Sequence, residues 1–428
     1  MKIAIIGTGI SGLTCGYYLH QRHDITLFEA NDYIGGHTAT IDLELDGRAY
    51  AVDTGFIVYN DRTYPNFVKM MNELGVEGVP TQMSFSVANK ASGLEYNGHT
   101  IATLFAQKRN WFKPRFYKFI AEILRFNKLV KELAQQQNAS GIDSTLGDFL
   151  TQHRFSDFFC DNYILPMGAA IWSSTLADMR AFPLGFFARF FLNHGLLDVV
   201  NRPQWYVIKG GSKQYIPALT QGFADRIKLN SPVQSVTRDG HGVVVMVNGS
   251  AERFDQVIFA CHSDQALALL ADPSHQEQAV LSSLTYQVNQ VVLHTDTKLL
   301  PTRKAAWASW NYRLDGSDSE QSAPPSLTYN MNILQHIESP HTFCVSLNCA
   351  DLIENSKILR TFNYSHPVFN TESIAAQKQR STINGELQTW FCGAYWYNGF
   401  HEDGVRSALD VVKALEEQAV DSPIKGAA

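Results

Sequence analysis

Apolar positions near the start of the chain fall into two patterns. Lys2-Ile3-Ala4-Ile5-Ile6 and Asp24-Ile25-Thr26-Leu27-Phe28 are short continuous runs, and between them Leu13 to Gln21 repeats at helical spacing. Short runs closed by turn residues predict buried parallel strands, and the 3.6-residue period predicts the crossover helix joining them. A third extended run, Arg48 to Val52, leads into Asp53-Thr54-Gly55-Phe56. From about 100 to 200 the apolar pattern becomes helical and rich in Phe, with Pro166, Pro183 and Pro203 as predicted breaks. Strand character returns at Trp205–Ile208, Ile227–Leu229, Pro232–Thr237, Gly242–Val247 and Gln256–Ala260, the last two separated by the hairpin signal Asn248-Gly249. Residues 283–296, 304–313 and 342–348 read as extended around a polar loop at 315–325. Leu387–Cys392 reads as a last strand, Gly404–Gln418 as the closing helix and 421–428 as a flexible tail. The opening strand–helix–strand alternation predicts an α/β fold.

The turn between the first strand and helix is Gly7-Thr8-Gly9-Ile10-Ser11-Gly12. Gly7 permits a tight turn, Gly9 removes a Cβ from the path of a pyrophosphate, and Gly12 lets helix and strand approach. The helix N-terminus, including Ile10 and Ser11, offers N–H groups and a positive dipole end to phosphates. Glu29, followed by Ala30, closes the second strand where a carboxylate accepts ribose hydroxyls and disfavours a 2′-phosphate. The alternative is a ligand-free glycine turn. Placement after a buried strand, before a helix and ahead of Glu29 favours the dinucleotide site.

Composition narrows the class. The 428 residues suffice for about three domains, and 45% hydrophobic with 18% charged residues is ordinary globular usage. A net charge of −6 gives no general reason to expect nucleic acid. Six cysteines (15, 160, 261, 344, 349, 392) lack paired or metal-ligand spacing, so no metal is expected and a reducing, cytoplasmic setting fits. The apolar run after Lys2 is too short for a signal peptide, and Ala181–Leu197 contains Arg189, Asn193 and His194, so no membrane span is expected. No second glycine fingerprint occurs, which predicts one dinucleotide.

Further segments carry a family resemblance: Gly35-Gly36-His37-Thr38, Asp53-Thr54-Gly55, Lys209-Gly210-Gly211-Ser212, Val233, and Phe391-Cys392-Gly393 followed by Gly399-Phe400-His401-Glu402-Asp403-Gly404-Val405. Together they resemble the FAD-dependent superfamily of amine oxidases, phytoene desaturases and protoporphyrinogen oxidases. With Asn193–Leu197 and Leu293–Asp296, they resemble more narrowly a bacterial subgroup of predicted NAD/FAD-binding proteins. The resemblance implies a Rossmann-like FAD-binding domain assembled from 1–80, 204–265 and 383–420. A mixed sheet-plus-helices substrate domain would come from 81–203 and 266–382. It also implies non-covalent FAD contacted by Gly35, Gly36, His37, Thr38, Gly55, Phe56, Val233, Ala260, Gly393, Phe400, Glu402, Asp403, Gly404 and Val405. Two departures stand out: His37 replaces the usual arginine, and Asn289-Gln290 stand where amine oxidases hold a lysine near the flavin. The activity implied is hydride removal from an apolar lipid, fatty acyl or isoprenoid substrate. Oxidation of a small or hydrophobic amine is the alternative, and a flavin-bearing binding or assembly protein without turnover is a third reading. The electron acceptor is not named by the sequence.

Trp396, Tyr397 and Phe400 occupy the segment where the family lines the flavin's substrate face; packing under a loop is the alternative. His401 either exchanges protons there or caps the helix beside Glu402 and Asp403. His194 and His294 are each either catalytic or satisfied structural histidines. Adjacent Cys261 and His262 point to opposite faces of an extended chain, which argues against a nucleophile–base pair. Phe182, Phe186, Phe187, Phe190 and Phe191 read as core or as a lipid pocket. Gln107–Lys131 carries eight Lys or Arg against one Glu, with Trp111, Phe112, Phe116, Tyr117 and Phe119 interleaved. Such a segment either lies on the inner face of an anionic membrane or is a solvated helix with its aromatics in the core.

Overall fold

The computed structural model describes residues 1–135, 144–198, 202–316 and 321–421. Its first layer is a five-stranded parallel sheet in the order β3 (Ile227–Lys228), β2 (Asp24–Phe28), β1 (Lys2–Ile6), β4 (Gln256–Phe259), β5 (Thr389–Phe391). β1 and β2 have the predicted bounds, because continuous apolar strands are buried on both faces. Ile3 and Ile5 face a core shared with helix α1 (Ile10–Leu19) and the closing helix. Ala4 and Ile6 face the opposite core, with Val236, Val245 and Phe254 of a three-stranded antiparallel sheet. Asn248 and Gly249, at φ 49° and 77°, turn the hairpin as expected. The return strand, however, is Ser250–Phe254, whose polar Ser-Ala-Glu-Arg sequence concealed it, while Gln256–Phe259 leaves for the parallel sheet.

The second layer is a seven-stranded sheet in the order Ile358–Pro367, Tyr286–His294, Cys344–Leu347, Leu327–Asn330, Trp310–Leu314, Phe85–Asn89, Leu94–Asn97. Four of these strands escaped the sequence reading, and part of the expected 315–325 loop lies outside the described residues. Helices α2 (Pro65–Glu73), α3 (Pro114–Gln135), α4 (Leu165–Trp172) and α5 (Leu184–Asn193) complete the labelled set before the closing helix α6, His401–Asp421. α6 begins three residues before the expected Gly404, and 422–428 fall outside the described residues.

Pro166 does not break the chain's helical course. A π-turn over Cys160–Ile164, closed by Leu165 N–H to Cys160 O, precedes it, and the proline sits in the first turn of α4 where its missing N–H costs least. Phe182, Phe186, Phe187, Phe190 and Phe191 are buried in the core that α3, α4 and α5 share, and Phe190 also reaches the cavity described below. Among the described residues no helix is long and apolar enough to cross a membrane.

Candidate active site

One long cavity of about 1100 Å³ runs from the glycine turn, past the start of α6, into the space between the seven-stranded sheet and helices α3, α4 and α5. Its first part is built by close backbone approach. Gly7 adopts φ 103° and donates its N–H to Phe28 O at 2.8 Å, binding the turn to β2. A Cβ on Gly12 would overlap the Gly7 carbonyl, whereas a Cβ on Gly9 would meet no protein atom within 4 Å. The two glycines therefore do different work: one closes the packing, the other leaves space over the helix end. Gly9 caps α1 without any side-chain hydrogen bond, and the first turn carries no acidic residue, so its N–H groups are available to an anion.

Of the residues expected to contact the cofactor, Gly7, Gly9, Ile10, Ser11, Glu29, Ala30, Gly35, Gly36, His37, Gly55, Phe56, Val233, Ala260, Gly393 and Phe400 line this cavity, as does the catalytic candidate His401. Glu29 is oriented by four donors: Thr8 N and Oγ1 at 3.0 and 2.6 Å, and Asn31 N and Nδ2 at 3.0 and 2.9 Å. His37 faces this space, and its buried Nε2 has no partner. Burial, with His366 and His262 nearby, lowers its pKa to about 3, so a neutral imidazole replaces the permanent charge of an arginine.

After His401, the start of α6 stands behind the wall rather than on it. Glu402, Asp403, Gly404 and Val405 do not reach the cavity wall. Both Glu402 oxygens are taken up at the start of α2, accepting from Asn66 N and Nδ2 at 3.1 and 2.6 Å and from Phe67 N at 2.8 Å. Asp403 accepts from Phe400 N at 2.9 Å, and burial raises its pKa to about 7. Gly404 O accepts from Ser11 Oγ at 3.0 Å, locking the starts of α1 and α6 together. Gly12 and Thr38 likewise stand behind the wall: Thr38 Oγ1 meets Tyr215 OH at 2.5 Å. Tyr215 OH reaches His401 Nε2 at 2.8 Å, and His401 stacks on Phe56 with 3.7 Å between centroids. Burial lowers His401 to about 3, leaving it neutral and held.

Trp396 and Tyr397 do not reach the wall. Trp396 is buried in the core behind the sheet under the Arg380 guanidinium, and Tyr397 OH donates to Asp410 Oδ2 at 2.5 Å. Tyr395, one position earlier, takes the wall place. Tyr397→Phe is expected to leave the visible flavin spectrum and substrate-dependent bleaching unchanged while costing about 1 kcal/mol of stability. Spectra and urea unfolding of the variant check both.

The remaining candidates divide. His194 lies on the wall, its Nδ1 3.0 Å from Phe190 O. His294 is fully buried between Ser346 Oγ and Asp296 N, a structural role. Cys261 and His262 both border the cavity, but burial pushes the thiol up to about 12 and His262 stacks on Tyr286, so no activated nucleophile forms. Among the described residues no His, Cys, Asp and Glu group could hold a metal.

Sequence reading missed His366. Its strand pairs Gln287 with His366, which places the ring on the wall 5.8 Å from that of His37. Its tautomer follows from a relay that starts at the backbone. Gln290 N–H donates to Asn348 Oδ1 at 3.1 Å, so Asn348 Nδ2 donates to Asn289 Oδ1 at 2.8 Å. Asn289 Nδ2 then donates to His366 Nδ1 at 3.2 Å, alongside Ser173 Oγ at 2.9 Å. Nδ1 accepts, so the neutral ring carries its proton on Nε2. Burial, with His262 nearby, holds its pKa at about 4.

Glycine cradle, uncapped helix end, ribose-side carboxylate and unpartnered His37 Nε2 fit a dinucleotide, and the long cavity continues past it. Fold and site thus define an α/β dinucleotide-binding protein. The chain belongs to the flavin containing amine oxidoreductases, whose family model matches residues 10–334, and its cofactor is FAD. It is 24% identical over 359 residues to "Putative flavin-containing monoamine oxidase AofH" of Mycobacterium tuberculosis, covering 79% of this chain and 72% of that protein. Cyclohexylamine oxidase from Brevibacterium oxydans IH-35A shares the fold at TM-score 0.71 and 16% identity, over 98% of this chain and 99% of that one. The CLA-producing fatty acid isomerase from P. acnes shares it at TM-score 0.69 and 16% identity, over 96% and 98% of the two chains.

Proposed function

We propose that this FAD-dependent oxidoreductase dehydrogenates an apolar chain of the lipid, fatty acyl or isoprenoid class. One observation carries the reading: among the described residues the cavity wall holds a single carboxylate, Glu29, beside the glycine turn, and no lysine. The far end is lined by residues such as Phe85, Ile120, Ile123, Met167, Ile171 and Trp310. An ammonium group there would lose its water without gaining a counter-charge, whereas a hydrocarbon gains from the transfer.

The FAD supplies the hydride-accepting ring when bound. The glycine cradle and the first turn of α1 would hold the pyrophosphate, His37 would donate to it as a neutral imidazole, and Glu29 would accept from the ribose. The wall's only cysteine among the described residues is a protonated thiol, which supports non-covalent retention. Apolar side chains orient the substrate and exclude water. With FAD bound as the two-electron acceptor, this wall would hold a saturated carbon–carbon bond of the chain in place for dehydrogenation, the proton released reaching solvent at the open end of the cavity. An amine substrate is the second reading, favoured by the family and by the mycobacterial relative's name.

Anaerobic mixing of the FAD-loaded protein with fatty acids, isoprenoids and amines tests this through loss of visible flavin absorbance. Bleaching by an apolar chain and not by amines is expected. Bleaching by an amine alone overturns the reading, and bleaching by nothing favours a binding role without turnover.

A further inference from the structure

We propose that the segment from Ile101 to Lys128 docks on the surface of an anionic lipid bilayer, with the cavity opening beside Leu124 toward that surface. The first observation is exposed apolar area. Large hydrophobic side chains open to solvent concentrate here: Phe112 at 87%, Ile101 at 71% and Leu124 at 51%, with Trp111 and Tyr117 also exposed. In the sequence, burial of the interleaved aromatics was the alternative. The structure divides them, sending Phe116 and Phe119 into the core and leaving Trp111, Phe112 and Tyr117 outside.

The second observation is charge. Lys108, Lys113 and Lys118 are exposed and, among the described residues, have no acidic partner, while Arg115 and Arg125 lie over the rings of Phe158 and Phe155. The one acidic residue of the segment, Glu122, is buried and accepts from Ser156 N and Oγ. It offsets none of the surface charge. Exposed lysines beside indole, phenyl and phenol rings match the anionic headgroup layer, where the charges meet phosphate and the rings enter the acyl boundary.

The third observation joins surface to cavity. Ile120, Ile123 and Leu124 of α3 and Leu104 line the cavity, and Leu124 is at once on the wall and half open to solvent. Arg202, the only cationic side chain on the wall among the described residues apart from histidine, is tied through Asp198 to Lys131 of α3. An amphiphile leaving the bilayer tail-first would meet apolar wall, with a cation placed for its head. Aliphatic side chains at the opening distinguish this surface from one that binds nucleic acid. The delivery step rests on the apolar-substrate reading; the docking does not.

Co-sedimentation of the full-length, FAD-loaded chain tests the docking, using vesicles of phosphatidylcholine alone and mixed with phosphatidylglycerol. Binding to the mixed vesicles, weakened by salt, is expected. The triple variant Lys108→Glu, Lys113→Glu, Lys118→Glu is expected to lose at least about tenfold in vesicle affinity, and Phe112→Ser to weaken it several-fold, with melting temperatures unchanged because every site is exposed. Wild-type binding that the variants match overturns the proposal. So does tighter binding to duplex DNA than to the mixed vesicles. Delivery is read separately: the triple variant should slow bleaching by substrate held in vesicles and not by the same substrate in detergent. If no apolar compound bleaches the wild type while vesicles still bind it, the substrate reading fails and the docking surface stands.

Discussion

Gly9→Val should yield a folded protein that does not retain flavin, and Gly12→Val a protein that does not fold properly. The two positions lie three residues apart in one turn, yet a Cβ at Gly9 meets no protein atom within 4 Å, while one at Gly12 overlaps the Gly7 carbonyl oxygen. Gly9 has φ −66°, which valine adopts without strain, so the apo-protein should melt within about 1 °C of wild type. The new side chain fills the space over the uncapped end of α1, and retention of FAD should fall by about a hundredfold or more, in line with losing a close pyrophosphate contact. At Gly12 the clash is with backbone, and relief requires α1 to move off β1. A cost of about 4 kcal/mol, at the upper end for single substitutions, is expected. Flavin-to-protein absorbance ratios and thermal melts of both apo-proteins separate the cases. Full flavin loading in Gly9→Val would show that the pyrophosphate does not cross that residue.

Acid should unfold the apo-protein steeply between pH 6.5 and 4. Burial depresses five histidines, His37 and His401 to about 3 and His194, His294 and His366 to about 4. A histidine depressed in the folded state stays neutral there while the unfolded chain takes up protons below about 6.5. Its stabilisation is therefore complete above pH 6.5 and is lost as pH falls toward the folded value. Two buried carboxyls act oppositely: burial raises Asp53 to about 6 and Asp403 to about 7, so between pH 4 and those values the folded state holds protons that the unfolded chain has released. Over these seven groups the balance near pH 5 is about three protons in favour of the unfolded state, a contribution to the slope on the order of 4 kcal/mol per pH unit. Urea midpoints measured from pH 7 to 4 should fall accordingly. Replacing His294, which lies outside the cavity, should reduce the slope by about one proton's worth. A flat profile would contradict the burial of this histidine set.

Legibility in the sequence followed locality. β1, the glycine turn and β2 lie between Lys2 and Phe28, and each demand on them comes from a neighbour along the chain: tight turn, helix start, strand end. The Asn248-Gly249 hairpin was legible for the same reason, and its partner strand was not, because Ser250–Phe254 has little apolar signal of its own and is held by pairing with Val243–Val247. The sequence points to Trp396 and Tyr397, whereas Tyr395 takes the wall position. A single 3₁₀ turn over Ala394–Trp396 has no repeating period from which to infer facing, so tertiary packing against Arg380 and Asp410 decides it. His366 was invisible because its strand alternates polar and apolar residues without a strong run, and antiparallel pairing with Tyr286–His294 carries it to the cavity.

The sequence by itself determined the dinucleotide end of the protein: the strand–glycine turn–helix unit, Glu29, and a single site whose further motifs lie at the far end of the chain. Those features are set by short-range backbone sterics and hydrogen-bond directions, which a few consecutive residues dictate. Only the tertiary structure decided the other end. It turned Glu402 to the start of α2, placed His366 beside His37, enclosed an apolar space whose only carboxylate among the described residues is at the cofactor end, and left lysines and rings exposed at its opening. That cavity is walled by side chains from Ile6 to His401, so its chemistry depends on which faces meet across long separations, and no local pattern records that choice.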